Sequence, residues 1–184
     1  MENNTESLRD LFVRFKPAIL FLVKFLVIYL VGNVVYGLYI ESVKSGPDLL
    51  TVLVTNNVSV LLNGLGEDTQ FRVNAVEPTV SVLKQGNIIL NVYEGCNGIN
   101  VMIVFFAFLV AYGGTIKRLM LFSIVGLGVI HIANLSRIGL LYFISQDYNQ
   151  YFYFVHKYLF TAILYVCVFV LWWIWIRISK EKSH

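Results

Sequence analysis

Four apolar runs, residues 18–40, 98–116, 119–144 and 153–176, take up half of the 184-residue chain. Crossing about 30 Å of hydrocarbon takes roughly 20 helical residues. In lipid every backbone N–H and C=O must be satisfied within the segment, so such runs are helices. The composition agrees. Hydrophobic residues make up 58% and charged residues 14%, whereas soluble domains are about 45–50% apolar. The sequence therefore predicts an α-helical integral membrane protein of about four transmembrane helices. It reads as a single multi-pass domain, 1–184, with residues 41–95 as an extracytoplasmic insert.

The charges set the expected orientation. Arg9, Arg14 and Lys16 precede the first run, Lys117 and Arg118 separate the second from the third, and Arg177, Lys180 and Lys182 follow the last. Basic flanks stay in the cytoplasm. Both termini are thus expected inside a cytoplasmic (inner) membrane, with the insert and the turn at 145–151 outside. The net charge of +3 comes from these flanks and indicates no nucleic-acid partner. Arg9, Arg14 and Lys16 ahead of an apolar run resemble a secretory signal, but the run is too long and no small-x-small cleavage site follows. It is expected to remain as the first span, with Pro17 at its entry and Lys24 snorkelling to the interface. Trp172, Trp173 and Trp175 are expected in an interfacial belt.

The insert has its own pattern. Gly46-Pro47-Asp48 reads as a turn and helix start. Leu50, Leu53, Val54, Val58, Leu61, Leu62 and Leu65 recur at helical spacing, and Gly64 and Gly66 end the element. This predicts an amphipathic helix lying on the membrane or against the bundle. Phe71, Val73 and Ala75, then Val80 and Val82, then Leu90 and Val92 alternate with polar residues. Lys84-Gln85-Gly86-Asn87 is a turn cluster between the last two runs. A small antiparallel β-hairpin sheet is expected, its last strand leading to Cys96.

Three reactive-type residues lie at the same end of successive runs. Cys96 sits in Glu94-Gly95-Cys96-Asn97-Gly98, Arg137 in Asn134-Leu135-Ser136-Arg137-Ile138, and His156 in Phe154-Val155-His156-Lys157-Tyr158. Cys96 precedes Lys117 by 21 residues, Arg137 follows Arg118 by 19, and His156 precedes Arg177 by 21. At 1.5 Å per residue these are roughly 28–32 Å, one hydrocarbon thickness above the cytoplasmic charges. All three side chains are expected at one outer depth.

Each has an unremarkable explanation: a cysteine as small apolar filler, a histidine as interfacial anchor, an arginine snorkelling outward. Together they suit nucleophilic acyl chemistry. A thiolate at a helix N-terminus attacks, an imidazole moves the proton, and a guanidinium stabilises an oxyanion in a poorly hydrated site. Gly95 and Gly98 allow close backbone approach. Glu94 is expected to cap the helix start, or to orient His156 or Arg137. Asn97 and Asn134 are supporting candidates. Cys167 lies deep in an apolar run without polar neighbours, and a disulfide with Cys96 is not expected. His131 is expected to be a packed, hydrogen-bonded histidine rather than part of a proton path.

On these three motifs, in the order Cys, Arg, His, the chain resembles the exosortase/archaeosortase family. Its size and outward insert resemble the small exosortase type XrtF. Many members carry serine where this chain has Asn97, and longer members have more spans. The resemblance implies a membrane-embedded cysteine protease-transpeptidase that cleaves C-terminal sorting signals of exported proteins at the extracytoplasmic face. It implies Cys96 as nucleophile, Arg137 as transition-state stabiliser and His156 as acid/base. The implied partners are the substrate's C-terminal transmembrane signal and membrane lipids, with no metal or organic cofactor. Three other readings remain: a non-enzymatic membrane scaffold, a transporter using His131 and Arg137, and a membrane acyltransferase with a thioester intermediate.

Overall fold

The structure, a computed structural model, describes residues 8–43 and 46–180. Lys182 of the expected basic C-terminal flank, and residues 1–7 of the N-terminal one, lie outside these residues. Helix α1 (Leu8–Ser42) is followed by α2 (Leu49–Gly64) and three strands, β1 (Thr69–Val73), β2 (Thr79–Lys84) and β3 (Asn87–Tyr93). A 3₁₀ turn (Glu94–Cys96) then leads to α3 (Ile99–Tyr112) and α4 (Ile116–Asp147). The last helical segment has three parts: a short turn α5 (Phe152–Phe154), a π turn (Val155–Leu159) and α6 (Phe160–Lys180).

Among the described residues three segments are long and apolar enough to cross a membrane: Leu11–Ser42, Ile116–Asp147 and Phe152–Ser179. The expected second span, 98–116, is shorter than the sequence suggested. Gly98 at φ +84° opens α3 and Gly113 at φ +81° closes it. Its 14 residues cover about 21 Å, less than a hydrocarbon thickness. Pro17 also departs from expectation: α1 begins at Leu8 and carries Pro17 inside it.

The helices form a bundle around α3, which packs on α1, α4 and α6. Lipid tails give helices little reason to associate by apolarity alone, so close packing of small residues matters. A Cβ on Gly126 would lie 2.2 Å from the Phe105 ring, and one on Gly32 would lie 2.8 Å from Ile103. Phe105, Leu109, Ile130, Val168, Leu171 and Trp175 are the buried centre of this bundle. The expected tryptophan belt is accordingly broken up. Trp175 is 1% exposed and Trp172 stacks on Phe108 at 4.3 Å. Only Trp173 faces outward, 55% exposed, beneath the Arg177 guanidinium.

At 32 residues, α4 extends about 48 Å, longer than one bilayer crossing, and its C-terminal turns carry the insert. Val54, Val58 and Leu62 of α2, Val82, Leu90 and Val92 of the sheet, Ile138, Leu141 and Tyr142 of α4, and Phe160 of α6 share a second core. Asp48 caps α2 by accepting from Leu50 N at 2.8 Å and Thr51 N at 3.2 Å. At the other end Gly66, at φ +92°, reverses the chain so that Glu67 N returns to the Leu62 carbonyl.

The buried face of α2 is not the leucine stripe of the sequence pattern. It is Thr51, Val54, Thr55, Val58, Ser59 and Leu62, while Leu53, Leu61 and Leu65 are exposed. Two of the three inward hydroxyls are satisfied locally, Thr51 donating to Asp48 and Thr55 to the Thr51 carbonyl, while Ser59 Oγ has no partner among the described residues.

The sheet is antiparallel with order β1-β2-β3. Gln85 at φ +52° and Gly86 at φ +81° make the two-residue turn with both central φ positive that matches strand twist. Val80 pairs with Val92 and Val82 with Leu90, and a bulge follows Val82. Asn63 holds the start of β1 by accepting from Thr69 N at 2.7 Å and donating to its carbonyl at 3.0 Å. Beyond Thr69 the strand is exposed, Phe71 and Val73 included, and Ala75 lies past its end. Glu67 ties the insert down by pairing with Lys84 and accepting from the Tyr142 hydroxyl.

Candidate active site

The chain leaves β3 at Tyr93 and makes one 3₁₀ turn before α3. Cys96 closes that turn rather than opening the helix, whose first residue is Ile99. The expected dipole assistance is therefore weakened, because that effect fades beyond the first turn. The loop is held from three sides. Asn97 accepts from Ile99 N at 3.0 Å, and so supplies the side-chain oxygen missing from the helix start. Its Nδ2 donates to the Tyr36 hydroxyl of α1 at 2.6 Å and to Thr51 Oγ1 of α2 at 3.2 Å. From α4, Asn134 Nδ2 donates to the Cys96 carbonyl at 2.9 Å. A Cβ on Gly98 would lie 3.1 Å from Asn134 Cγ, so this approach needs glycine.

His156 lies in the π turn Val155–Leu159, within the last helical segment and not at its opening. Single π turns frequently mark functional positions in helices. Its Nε2 is 3.5 Å from Cys96 Sγ, within hydrogen-bonding distance for sulfur. Phe152 stacks on the imidazole, the rings 2° from parallel with centroids 5.8 Å apart. A small cavity of about 70 Å³ adjoins the pair, lined by Leu90, Asn91, Val92, Tyr93, Ile138, Leu141 and Phe152 as well as Cys96 and His156.

Arg137 is one helical turn beyond Asn134 on α4 and half-buried. Its charge acts on the His156 ring, but it does not line the cavity. Its Nε is buried without a partner, as is Asn134 Oδ1 on the neighbouring turn. Asn134 itself is 0% exposed. The structure thus brings Cys96 and His156 into contact, sets Arg137 within electrostatic range, and gives Asn134 and Asn97 the job of fixing the cysteine loop.

Glu94 does something else. The 3₁₀ turn has Tyr93 at its N-cap and no side-chain cap bond, so the expected Glu94 cap is absent. Its carboxyl lies instead near that of Asp48, the cap of α2. Burial, then the adjacent Asp48 carboxylate, push the Glu94 carboxyl above the usual glutamate range. His131 lies away from this group, its Nε2 3.3 Å from Asn57 Nδ2 of α2. Among the described residues no three His, Cys, Asp or Glu side chains converge as a metal set would require.

Sequence reasoning missed four supports: Tyr36, Asp48 and Thr51 beneath the loop, and Phe152 on the imidazole. Only Phe152 left a readable signal, its i, i+4 spacing to His156. Tyr36 lies in an apolar span whose periodicity says nothing of a polar partner in another element.

No curated protein and no solved structure matches the chain. The model of the transmembrane exosortase family (Exosortase_EpsH) matches residues 11–173, which takes in Cys96, His156, Arg137 and every helix that positions them. The chain belongs to the transmembrane exosortase family.

Proposed function

We propose that this protein is a membrane-embedded cysteine protease-transpeptidase that removes C-terminal sorting signals from exported proteins. The observation that carries the reading is the 3.5 Å approach of Cys96 Sγ to His156 Nε2 in a chain of this family. A neutral imidazole accepts the thiol proton, and the thiolate attacks the scissile carbonyl carbon. The tetrahedral oxyanion forms within reach of the Arg137 charge. Arg137 has a reason to engage it: an unpartnered buried donor costs on the order of 1–3 kcal/mol, and an incoming anionic oxygen removes that cost. When the C–N bond breaks, the leaving amine takes the proton from His156 and the acyl group stays on Cys96 as a thioester. Water or an acceptor nucleophile then attacks the thioester, passes a proton to His156, and releases the thiolate.

In this reading α3 completes a fourth crossing, its 21 Å extended by the 3₁₀ turn at one end and Gly113–Gly114 at the other. Both termini and the Lys117–Arg118 turn lie in the cytoplasm. The insert, residues 41–95 of a single multi-pass domain, lies outside the cytoplasmic membrane, and the chemistry occurs at its junction with the bundle. The substrate presents a short motif, one membrane helix and a basic tail. The compact bundle with its insert before the cysteine favours the small exosortase type XrtF.

The test is mass spectrometry of the C-termini of exported proteins from cells carrying the wild-type chain or Cys96→Ala. A set of shortened C-termini should disappear in the variant. Unchanged processing at equal membrane levels of the two proteins overturns the reading.

A further inference from the structure

We propose that the outer edge of β3 seats the substrate, with the extended segment beside the scissile bond adding to the sheet as a fourth strand. This rests on Cys96 as the nucleophile. The sheet order is β1-β2-β3, so β3 is paired on one side only. The cavity at Cys96 touches Leu90, Asn91, Val92 and Tyr93, four consecutive residues of that strand. Successive side chains of a strand point to opposite faces. A cavity over one face would meet alternate residues, whereas one meeting all four is not confined to a face and reaches the strand's edge. No β2 residue lines it, so the edge it follows is the unpaired one.

The limits of that edge are visible. Ile89 is skipped in the pairing at the bulge, and Ser145 Oγ of α4 donates to its carbonyl at 2.7 Å. There α4 closes the edge. From Leu90 to Tyr93 the strand instead lines the cavity it shares with Cys96 and His156. Four strand residues cover about 13 Å and end three residues before the thiol, so a chain bonded along them would deliver a carbonyl to the sulfur. Asn91 also lines a second, polar groove of about 430 Å³ with Arg72, Asn74 and Ser81. That groove gives the rest of an extended substrate a path over the insert. Recognition through the main chain holds a segment in extended form and leaves side-chain selectivity to alternate positions.

The experiment uses the wild-type protein in lipid vesicles. The probes are synthetic peptides spanning a cleaved C-terminal region mapped by the mass spectrometry above, each carrying one N-methylated amide. Strand addition uses every second N–H, so cleavage should fall roughly tenfold at alternate positions on one side of the scissile bond and stay within about twofold at those between. Uniform tolerance, or losses at adjacent positions alike, overturns the proposal. Equal cleavage of the unmodified peptide by Cys96→Ala defeats the nucleophile assignment instead, which separates the two failures.

Discussion

The two cysteines occupy opposite kinds of surroundings. Cys167 packs against the apolar core of the bundle. Cys96 packs on the junction core that joins the insert to the ends of α4 and α6, with His156, Asn134, Asn97 and Glu94 around its loop. The backbone differs as much as the side chains. Around Cys167 α6 is regular helix. Around Cys96 lie a 3₁₀ turn, a left-handed glycine and a π turn. Polar atoms in lipid are costly unless satisfied, and irregular backbone in a membrane protein needs protein around it. The junction supplies both conditions, because the insert packs over the loop and the ends of α4 and α6. The bundle core spends its residues on packing, and the junction spends them on holding one loop.

The sharpest way to break that contrast is to remove each sulfur in turn. Cys96→Ala should lower processing of exported C-termini by about 10³-fold or more, as for loss of a covalent nucleophile. Cys167→Ala should stay within about twofold of wild type in the same mass-spectrometric assay, allowing only for a small packing loss. Arg137→Lys should cost roughly 10–100-fold, since it keeps the charge and loses the planar fork. Full activity in that variant would mean that charge alone is needed.

Gly126→Ala probes the other region. The added methyl meets the Phe105 ring, so thermal unfolding in detergent should show a loss of about 1–3 kcal/mol. Cys96 labelling by a thiol reagent below the transition should be unchanged. The smallest effect belongs to Glu94. Its carboxyl is raised in the folded protein, so its stabilising contribution is present below the unfolded value and is lost as pH rises through the folded one. Glu94→Gln should therefore be the more stable protein above that range, by at most on the order of 1 kcal/mol, and the difference should close on acidification.

Much of this was legible in the sequence, for specific reasons. Asp48 announced the start of α2 and Gly66 its end, because caps are local chemistry. Gln85-Gly86 announced the hairpin because few residues accept two positive φ angles in a row. Cys96 and His156 were visible as polar residues at the ends of apolar runs. What was hidden depends on neighbours distant in sequence. The tryptophans read as a belt, yet Trp175 is buried in the bundle core, where Phe122 of α4 packs on its ring. Two hydroxyls on the buried face of α2, those of Thr51 and Thr55, are received by a fully buried Asp48 and the Thr51 carbonyl, which an apolar periodicity cannot reveal. The length of α3 was overread because hydropathy passes through Gly113–Gly114 without noticing a break in backbone. Glu94 was assigned to a cap because its acidic partner Asp48 lies 46 residues earlier.

The contact between Cys96 and His156 is open to a direct measurement. Both cysteines are labelled with one small alkylating reagent in one vesicle preparation, and the rates are read by peptide mass spectrometry in wild type and in His156→Phe, which preserves stacking on Phe152. Cys96 should react at least tenfold faster than Cys167, and His156→Phe should slow Cys96 alone. Equal rates at the two cysteines, or a Cys96 rate indifferent to His156, would contradict a reactive thiol–imidazole pair at the junction.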